Sequence, residues 1–312
     1  MQIGANETMD YLRCRRRWNL GSPNRENLEK LMPHSTALPL GTVIHLALSK
    51  WLEAPHLNLA ELYQVAATLE NNKIVERFAK AMGYKPAASE LEKLHTDFMT
   101  GYAMMENYQA YWKAPLPPGF ELVHSEQEVS VPIPGTEHTD ENGEQAYHYL
   151  RGRLDAIIKE TASGKLYVLE HKSYGNRPRE AVLRTNFQFL AYEYILKALD
   201  IGPVGGIAYD GMWKRAAPPR DKTMHDLFWR LRIERPPAEL AEFERMMADI
   251  ANEMASGPAL YINRTWDGSC DWGCQFSELC IAMSRGEDTD YIRRTMYQQR
   301  ESYAETNSHD GT

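Results

Sequence analysis

The sequence predicts an α/β fold in which a central mixed sheet is flanked by helices. Two apolar runs, at 152–158 and 166–172, are separated by turn residues that include Ser163 and Gly164, a pattern typical of adjacent strands in a hairpin. Longer segments with apolar residues at helical spacing surround this hairpin, at 40–52, 57–80, 88–113, 187–196 and 236–255. Helical segments on both sides of strand-forming segments favour a layered α/β architecture.

The remaining segments complete this architecture. Glu121–Ile133 predicts a first core strand, after a break at Pro117-Pro118, and 207–213 predicts a further strand. With 312 residues and 43% hydrophobic content, the chain can form one elaborated domain. We expect this domain over 1–300 and a disordered polar tail over 301–312. Within it we expect a helical part over about 1–118, the core with the hairpin over about 119–215, and a C-terminal helix with a cysteine cluster over about 216–285.

Two acidic residues lie inside the apolar runs of the hairpin. Burial of an unpaired carboxylate costs free energy, so Asp155 and Glu170 need a compensating cation. Because residues two apart in a strand share a face, Glu170 and Lys172 project together while His171 points away. A carboxylate pair beside a lysine is typical of a hydrolytic site with a divalent metal. The alternative is that both carboxylates form ordinary ion pairs with neighbouring arginines or with Lys172.

Two of the predicted helices carry polar residues on otherwise packed faces. His45 interrupts the mostly apolar helix 40–52, either as a metal ligand or as a hydrogen-bonded core residue. Gln188 and Tyr192 are four apart on helix 187–196, so they lie one turn from each other on one face. Taken alone, the second pair is also consistent with the polar edge of a packed helix.

The four cysteines form a three-plus-one pattern. Cys14 lies near the N-terminus, and Cys270, Cys274 and Cys280 follow the spacing C-x3-C-x5-C. Four thiolates suit tetrahedral zinc or an iron–sulfur cluster. Two disulfides are the alternative, which the compact spacing and the lack of a signal peptide disfavour. One metal centre would join both ends of the chain and so stabilise the fold.

The order of these motifs resembles the RecB-like branch of the PD-(D/E)XK nuclease superfamily: Cys14, Gly41-x3-His45, Gly-Arg-x-Asp155, Glu170-x-Lys172, Gln188-x3-Tyr192 and three clustered cysteines. Within that branch the chain is most similar to the iron–sulfur exonucleases, which include the CRISPR-associated adaptation exonuclease, AddB-like nuclease domains and phage exonucleases. The resemblance covers the chain from about Cys14 to Cys280. It implies a restriction-endonuclease-like core with a helical insertion and with termini closed by an iron–sulfur cluster.

The resemblance also implies a set of metal ligands. Mg²⁺ or Mn²⁺ would be held by the side chains of His45, Asp155 and Glu170, with the backbone carbonyl of His171 as a further ligand. Because imidazole is softer than an oxygen ligand, His45 fits Mn²⁺ slightly better than Mg²⁺. These metals place a water in line with the scissile bond and stabilise charge on the phosphoryl oxygens.

The remaining motif residues receive catalytic and structural roles from the same resemblance. Lys172 would orient or deprotonate the attacking water, and a cation beside its amine should lower its pKa. Gln188 and Tyr192 would position the DNA strand or support Lys172. A 4Fe–4S cluster would be bound by four residues: Cys14, Cys270, Cys274 and Cys280. The family commonly has two residues between the first two clustered cysteines, whereas this chain has three.

These roles imply a metal-dependent DNA exonuclease that acts on single-stranded DNA or DNA ends in recombination, repair, phage DNA metabolism or CRISPR adaptation. The formal net charge of −8 is unfavourable for a DNA-binding protein. Basic clusters at 13–17, 177–184 and 214–222 are therefore candidates for backbone contacts, and ordinary solvated faces are the alternative, above all for the third cluster. A protein partner or a homo-oligomer could supply part of the DNA binding. Aromatic residues near the motifs are candidates for base stacking, with core packing as the more common alternative: Tyr174, Trp213 and Trp272.

Other functions stay open from the sequence. The main alternative is a non-catalytic DNA-end-binding adaptor subunit of a recombination or spacer-acquisition complex, although an adaptor has no need of a complete set of motifs. A zinc-stabilised structural protein is a further alternative. We expect no membrane association, because no run of eighteen apolar residues occurs. We expect a cytoplasmic location in a bacterial, archaeal or phage-infected host cell.

Overall fold

A mixed sheet of six strands lies at the centre of the described part of the chain. The computed structural model describes residues 1–32, 37–257, 262–265, 268 and 270–300, without the side chains at 37, 271 and 272, so the predicted tail at 301–312 lies outside the described residues. The sheet consists of β1 (Gln2–Gly4), β3 (Phe120–Pro132), β6 (Tyr149–Glu160), β7 (Leu166–Tyr174), β8 (Val204–Trp213) and β9 (Phe228–Ile233). Two small ladders are formed by β2 (Leu28–Lys30) with β10 (Tyr297–Gln299), and by β4 (His138–Thr139) with β5 (Gln145–Ala146).

Helices cover both faces of this sheet. They are α1 (Ala5–Arg13), α2 (Arg15–Gly21), α3 (Ala37–Glu53), α4 (Leu59–Met82), α5 (Ala88–Trp112), α6 (Glu180–Arg184), α7 (Phe187–Ala198), α8 (Met224–Leu227), α9 (Pro237–Ala255), α10 (Cys270–Gly273), α11 (Ser277–Arg285) and α12 (Asp290–Met296). Along β7, Val168 packs in the cluster that includes α7 and α9, whereas Leu169 packs in the cluster with Leu52 of α3. Because successive strand residues point to opposite faces, α7 and α9 cover one face and α3 covers the other.

The strand directions make the sheet mixed, as the sequence predicts. β6 is antiparallel to both β3 and β7, and β9 is antiparallel to β8. β8 is parallel to β7, and β1 is parallel to β6. The parallel β7–β8 pair places the C-terminal ends of both strands at the same edge of the sheet, and the helices α6 and α7 form the crossover between them.

β6 and β7 separate near the middle of β6. The last residues that pair β6 with β7 are Ala156 and Leu169. On the same side of β6, β1 pairs only as far as Arg151. β3 continues along the opposite edge of β6. Residues 152–155 therefore have no strand neighbour on one side among the described strands. Asp155 lies in this gap in the sheet.

The structure confirms the hairpin and the long helices. β6 and β7 are the predicted strand pair, and α4 and α5 begin and end within two residues of the predicted segments 57–80 and 88–113. β1 and β9 were not predicted from the sequence. They add strands from the N-terminal part, predicted as helical, and from the C-terminal part, predicted as a helix with a cysteine cluster. β1 has only three residues, and β9 carries Arg230 and Arg232, so neither gives a clear apolar pattern.

The two ends of the described chain are held together by apolar packing as well as by a strand pair. β2 pairs with β10, and the small core beneath this ladder contains residues from both ends: Leu20, Leu28, Phe276, Leu279 and Tyr297. The N- and C-terminal parts therefore meet near the cysteines. Among the described helices, none combines the length and the hydropathy that a membrane-spanning segment requires.

Candidate active site

Asp155 and His45 form the first contact of the candidate site. Asp155 lies on β6 in the gap described above, and His45 lies on α3. Nδ1 of His45 is 2.7 Å from Oδ1 of Asp155. The other carboxylate oxygen accepts a 2.8 Å hydrogen bond from the backbone N–H of His171. Burial alone would raise the pKa of Asp155, but the charge of His45 and the hydrogen bond from it lower this pKa below its usual value. Asp155 is therefore ionised at neutral pH.

Glu170 and Lys172 project from the same face of β7, as the sequence predicts. Nζ of Lys172 lies 2.6 Å from Oε1 of Glu170. Glu170 is only 1% exposed, and its Oε2 atom has no hydrogen-bond partner among the described residues. Burial raises the pKa of Glu170, and the positive charge of Lys172 offsets only part of this effect. A buried carboxylate oxygen without a partner costs free energy unless it accepts a hydrogen bond or binds a cation.

The Lys172 amine remains charged in this arrangement. Burial lowers its pKa, but the carboxylates of Glu170 and Asp155 raise that pKa above its usual value overall. The sequence predicts a lowered pKa for Lys172 only when a metal ion is bound beside its amine, so that prediction applies to the metal-bound protein. Without that cation, Lys172 is a hydrogen-bond donor rather than a base.

Gln188 and Tyr192 face the gap from α7. Nε2 of Gln188 donates a 2.7 Å hydrogen bond to the hydroxyl oxygen of Tyr192. Burial and then the charge of Glu170 raise the pKa of Tyr192 well above its usual value, so the phenol stays protonated. A Cβ atom at Gly152 would lie 2.7 Å from Cδ1 of Ile195 and 3.2 Å from Cε1 of Tyr192. Gly152 is therefore the residue that lets α7 approach β6.

The backbone of His171 also faces this gap. In a strand, the N–H and C=O groups of one residue point to the same edge. Since the N–H of His171 donates to Asp155, its carbonyl oxygen is directed to the same side of β7. The oxygen-rich donors at the site fit Mg²⁺ or Mn²⁺ by chemical type, and Oε2 of Glu170 is the buried oxygen left without a partner.

The side chains are nevertheless not arranged as a metal-binding cluster. Within the described ranges, no group of three or more His, Cys, Asp or Glu side chains has such an arrangement. The physical reason at the gap is charge pairing: Asp155 is bound by His45, and Glu170 is bound by Lys172. Each oxygen of Asp155 still has a second lone pair, so these contacts do not use up its capacity as a ligand.

A buried ionic network on the α3 face of the sheet was missed by the sequence analysis. Asp210 is fully buried, accepts a 3.0 Å hydrogen bond from Nε of Arg230, and also accepts one from the hydroxyl of Tyr108. Nδ1 of His171 lies 3.6 Å from Oδ2 of Asp210. An acidic residue in the apolar strand 207–213 was the available signal, and it is the same kind of signal that identifies Asp155.

The cysteines lie at the junction of the two chain ends. Cys14 separates α1 from α2, and its Sγ atom accepts a 3.4 Å hydrogen bond from the backbone N–H of Thr265. Sγ of Cys270 lies 3.7 Å from the carbonyl oxygen of the same Thr265. Burial raises the pKa of Cys274, and Cys14 and Cys270 are near enough to contribute to that rise. All four cysteines, including Cys280 on α11, are partly exposed free thiols.

The aromatic residues proposed for base stacking have other partners. Tyr174 is half-buried, and its ring stacks on Trp229 with centroids 6.4 Å apart. Nε1 of Trp213 donates a 2.6 Å hydrogen bond to the carbonyl oxygen of Gly175. The side chain of Trp272 lies outside the described residues.

Comparison with known protein families is consistent with this site. The family model described as the PD-(D/E)XK nuclease superfamily matches residues 4–281. This range contains all the candidate residues: His45, Asp155, Glu170, His171, Lys172, Gln188, Tyr192 and the four cysteines. Members of that superfamily are nucleases, and they typically use Mg²⁺ or similar divalent metals. No curated protein matches the chain.

Proposed function

The chain belongs to the PD-(D/E)XK nuclease superfamily, and from this premise we propose that it is a divalent-metal-dependent DNA exonuclease. Its substrate is single-stranded DNA or the ends of DNA, and its reaction is hydrolysis of a phosphodiester bond. The observation that carries this proposal is the convergence of Asp155, Glu170 and Lys172 at the gap between β6 and β7, with a buried oxygen of Glu170 left without a partner.

We assign the metal site to the donors around this gap. Asp155 and Glu170 supply carboxylate oxygens, His171 supplies its backbone carbonyl, and His45 supplies an imidazole nitrogen. Mg²⁺ or Mn²⁺ bound there would supply charge neutralisation for the phosphoryl oxygens and a more acidic water. A cation near Glu170 also offsets the burial that raises the pKa of this carboxyl group.

The residues around the donors position the reactants. Lys172 donates hydrogen bonds to a water or a phosphoryl oxygen, since its charge is retained beside Glu170. Tyr192 stays protonated, so its hydroxyl is available as a donor toward the DNA strand, and Gln188 fixes the position of that hydroxyl at 2.7 Å. Positioning of this kind accounts for much of the rate of phosphoryl transfer, because the protein supplies little covalent chemistry.

We further propose that the four cysteines bind a 4Fe–4S cluster with a structural role. The shared contacts of Cys14 and Cys270 with Thr265 support this, because they bring the two chain ends to one place. The RecB-like, iron–sulfur branch of the superfamily is the corresponding subtype. The biological role would lie in recombination, repair, phage DNA metabolism or CRISPR adaptation, in the cytoplasm, where a protein partner or a second copy assists binding.

Incubation of anaerobically purified protein with 5′- and 3′-labelled single-stranded DNA and Mn²⁺ tests the activity. The matched control is the double variant Glu170→Ala, Lys172→Ala. We expect the wild-type protein to degrade the DNA and the variant to leave it intact, with the label pattern giving the direction of digestion. If neither protein cuts while both bind DNA ends equally well, the exonuclease proposal is wrong and the adaptor function replaces it.

A further inference from the structure

Two arginines lie at the edge of the sheet where β7 and β8 end. Arg177 follows β7 by three residues, and Arg215 follows β8 by two. A 2.7 Å hydrogen bond from the backbone N–H of Lys214 to the carbonyl oxygen of Tyr174 holds the two connections together. Arg177 and Arg215 are both exposed, and neither forms an ion pair with a described carboxylate.

Each of these arginines is held over a tryptophan ring. The guanidinium carbon of Arg177 lies 4.7 Å from the ring centroid of Trp229, and that of Arg215 lies 4.5 Å from the ring centroid of Trp213. A guanidinium stacked in this way is oriented by the ring, while its N–H groups remain free to bind an anion. Because the chain has a net charge of −8, two oriented arginines without acidic partners are a local positive site in a negative protein.

The register of the sheet places this site beside the candidate catalytic residues. Lys172 on β7 pairs with Gly211 on β8, and Gly211 pairs with Trp229 on β9. Paired residues of neighbouring strands share a face, so Trp229 lies on the same face as Lys172, about 10 Å away across two strand spacings. A Cβ atom at Gly211 would lie 2.3 Å from the indole of Trp229. Gly211 therefore makes room for the ring that supports Arg177.

We propose that Arg177 and Arg215 bind successive parts of the phosphate backbone of a single DNA strand that leaves the catalytic gap over the ends of β7 and β8. This inference rests on the proposed function and adds the residues that hold the substrate next to the cut. The Arg177–Trp229 and Arg215–Trp213 pairs act as a two-point phosphate clamp. The clamp reads backbone charge rather than base identity, since it presents guanidinium groups to phosphate oxygens.

The stacking itself favours phosphate contacts over base stacking. Trp229 is only 5% exposed, so a base cannot lie on it. Trp213 is half-buried, and Arg215 lies over its ring while its indole nitrogen donates to Gly175. Arginine planes also match phosphate oxygens in a bidentate geometry. For Trp213, the clamp assigns support of Arg215 in place of the base stacking expected from the sequence.

The salt dependence of DNA binding tests the clamp. The dissociation constant of a labelled oligothymidylate is measured in EDTA over a range of KCl concentrations for the wild type and for Arg177→Ala, Arg215→Ala. The control Lys80→Ala, Arg245→Ala removes two exposed charges from α4 and α9. We plot the logarithm of the dissociation constant against the logarithm of the KCl concentration. We expect the slope to be smaller by about 1.4 in the clamp variant than in the wild type, since each phosphate contact on a single strand contributes about 0.7. We expect the control to keep the wild-type slope.

Lysine replacements and cleavage kinetics give independent readouts. Arg177→Lys, Arg215→Lys retains the charge and should recover most of the slope. With Mn²⁺ present, the alanine variant should raise KM for DNA with little change in kcat. An unchanged slope and an unchanged KM in the alanine variant, while the wild type cleaves, overturns the clamp and leaves the nuclease function intact. A lower slope in the alanine variant, when the wild-type protein binds DNA but never cleaves it, supports the clamp and overturns the hydrolytic function. Wild-type protein that does not bind DNA overturns both.

Discussion

His45 on α3 and Asp155 on β6 are joined by a 2.7 Å contact between Nδ1 and Oδ1. This contact connects the helical layer to the strand gap at the residue where β6 loses its pairing with β7. Because Asp155 is half-buried and ionised, His45 is a structural partner of that charge as well as a candidate metal ligand. We therefore expect changes at these two residues to affect both the local stability and the proposed metal site.

Replacement of His45 by alanine should lower both activity and stability. In metal-free protein, Asp155 would lose a charged hydrogen bond, which is worth about 2 kcal/mol in the free energy of unfolding. Urea denaturation in EDTA at neutral pH measures this loss, and cleavage of labelled DNA with Mn²⁺ measures the loss of activity. Equal stability and equal cleavage rates for His45→Ala and wild type would contradict both roles.

Replacement of Gly152 by alanine should displace α7 from β6. The added Cβ would lie 2.7 Å from Cδ1 of Ile195 and would also contact the ring of Tyr192, so we expect a loss of about 1–3 kcal/mol of stability and a larger proportional loss of activity. Gly41→Ala on α3 is the control, because an added Cβ meets no atom within 4 Å there. That control should be neutral or stabilising by about 0.5–1 kcal/mol. Thermal unfolding and DNA cleavage of both variants check the contrast.

The network around Asp210 should respond unequally to the loss of its members. Tyr108→Phe removes the hydroxyl that donates to Asp210 and accepts a 3.2 Å hydrogen bond from Arg230, and should cost about 2 kcal/mol. Asp210→Ala leaves the guanidinium of Arg230, whose side chain is 12% exposed, without its carboxylate and should cost about 3 kcal/mol. Chemical denaturation of the two variants measures the difference. Similar small losses for both would show that Arg230 finds another partner or solvent.

Stability should rise with pH over the range in which His148 titrates. Burial, together with the positive charges of the Met1 amino group and of His138, lowers the pKa of His148 to about 4. The unfolded chain keeps a histidine pKa near 6.5, so between about pH 4 and 6.5 it binds a proton that the folded protein does not. Folding is therefore favoured as the pH rises through this window, by about 1–2 kcal/mol once solvent screening is allowed for, and the effect is constant above it.

His148→Asn isolates this contribution. The variant should show a shallower increase of the unfolding free energy between about pH 4.5 and 6.5, measured by urea denaturation at several pH values. His138→Asn is a matched comparison, because it removes only a neighbouring charge and should have a smaller effect. Parallel pH profiles for wild type and His148→Asn would contradict this assignment.

Much of the site follows from the sequence because its residues break local patterns. Asp155 and Glu170 are acidic residues inside apolar strands, and the two-residue period of a strand is enough to place Glu170 and Lys172 on one face of β7. The spacing of Gln188 and Tyr192 likewise predicts a common helix face. These residues depend on local geometry, which periodicity describes.

Other features depend on contacts between distant segments. The gap in β6 arises because β1 and β7 share one edge of that strand without meeting, and a three-residue strand leaves no periodic signal. The support of Arg177 by Trp229 requires the register across β7, β8 and β9, in which Gly211 leaves space for the indole. Sequence periodicity contains no information on such long-range register, so these relationships appear only in the folded chain.

Binding of Mn²⁺ to the catalytic gap tests the account most directly. Calorimetric titration of the wild-type protein and of Glu170→Gln, which removes the charge and keeps the shape, compares the two affinities while DNA cleavage is assayed in parallel. We predict a loss of affinity of more than about 100-fold in the variant, together with loss of cleavage. Equal Mn²⁺ affinity and equal cleavage by the two proteins would contradict the assignment of Glu170 and of the gap between β6 and β7 as the metal-dependent active site.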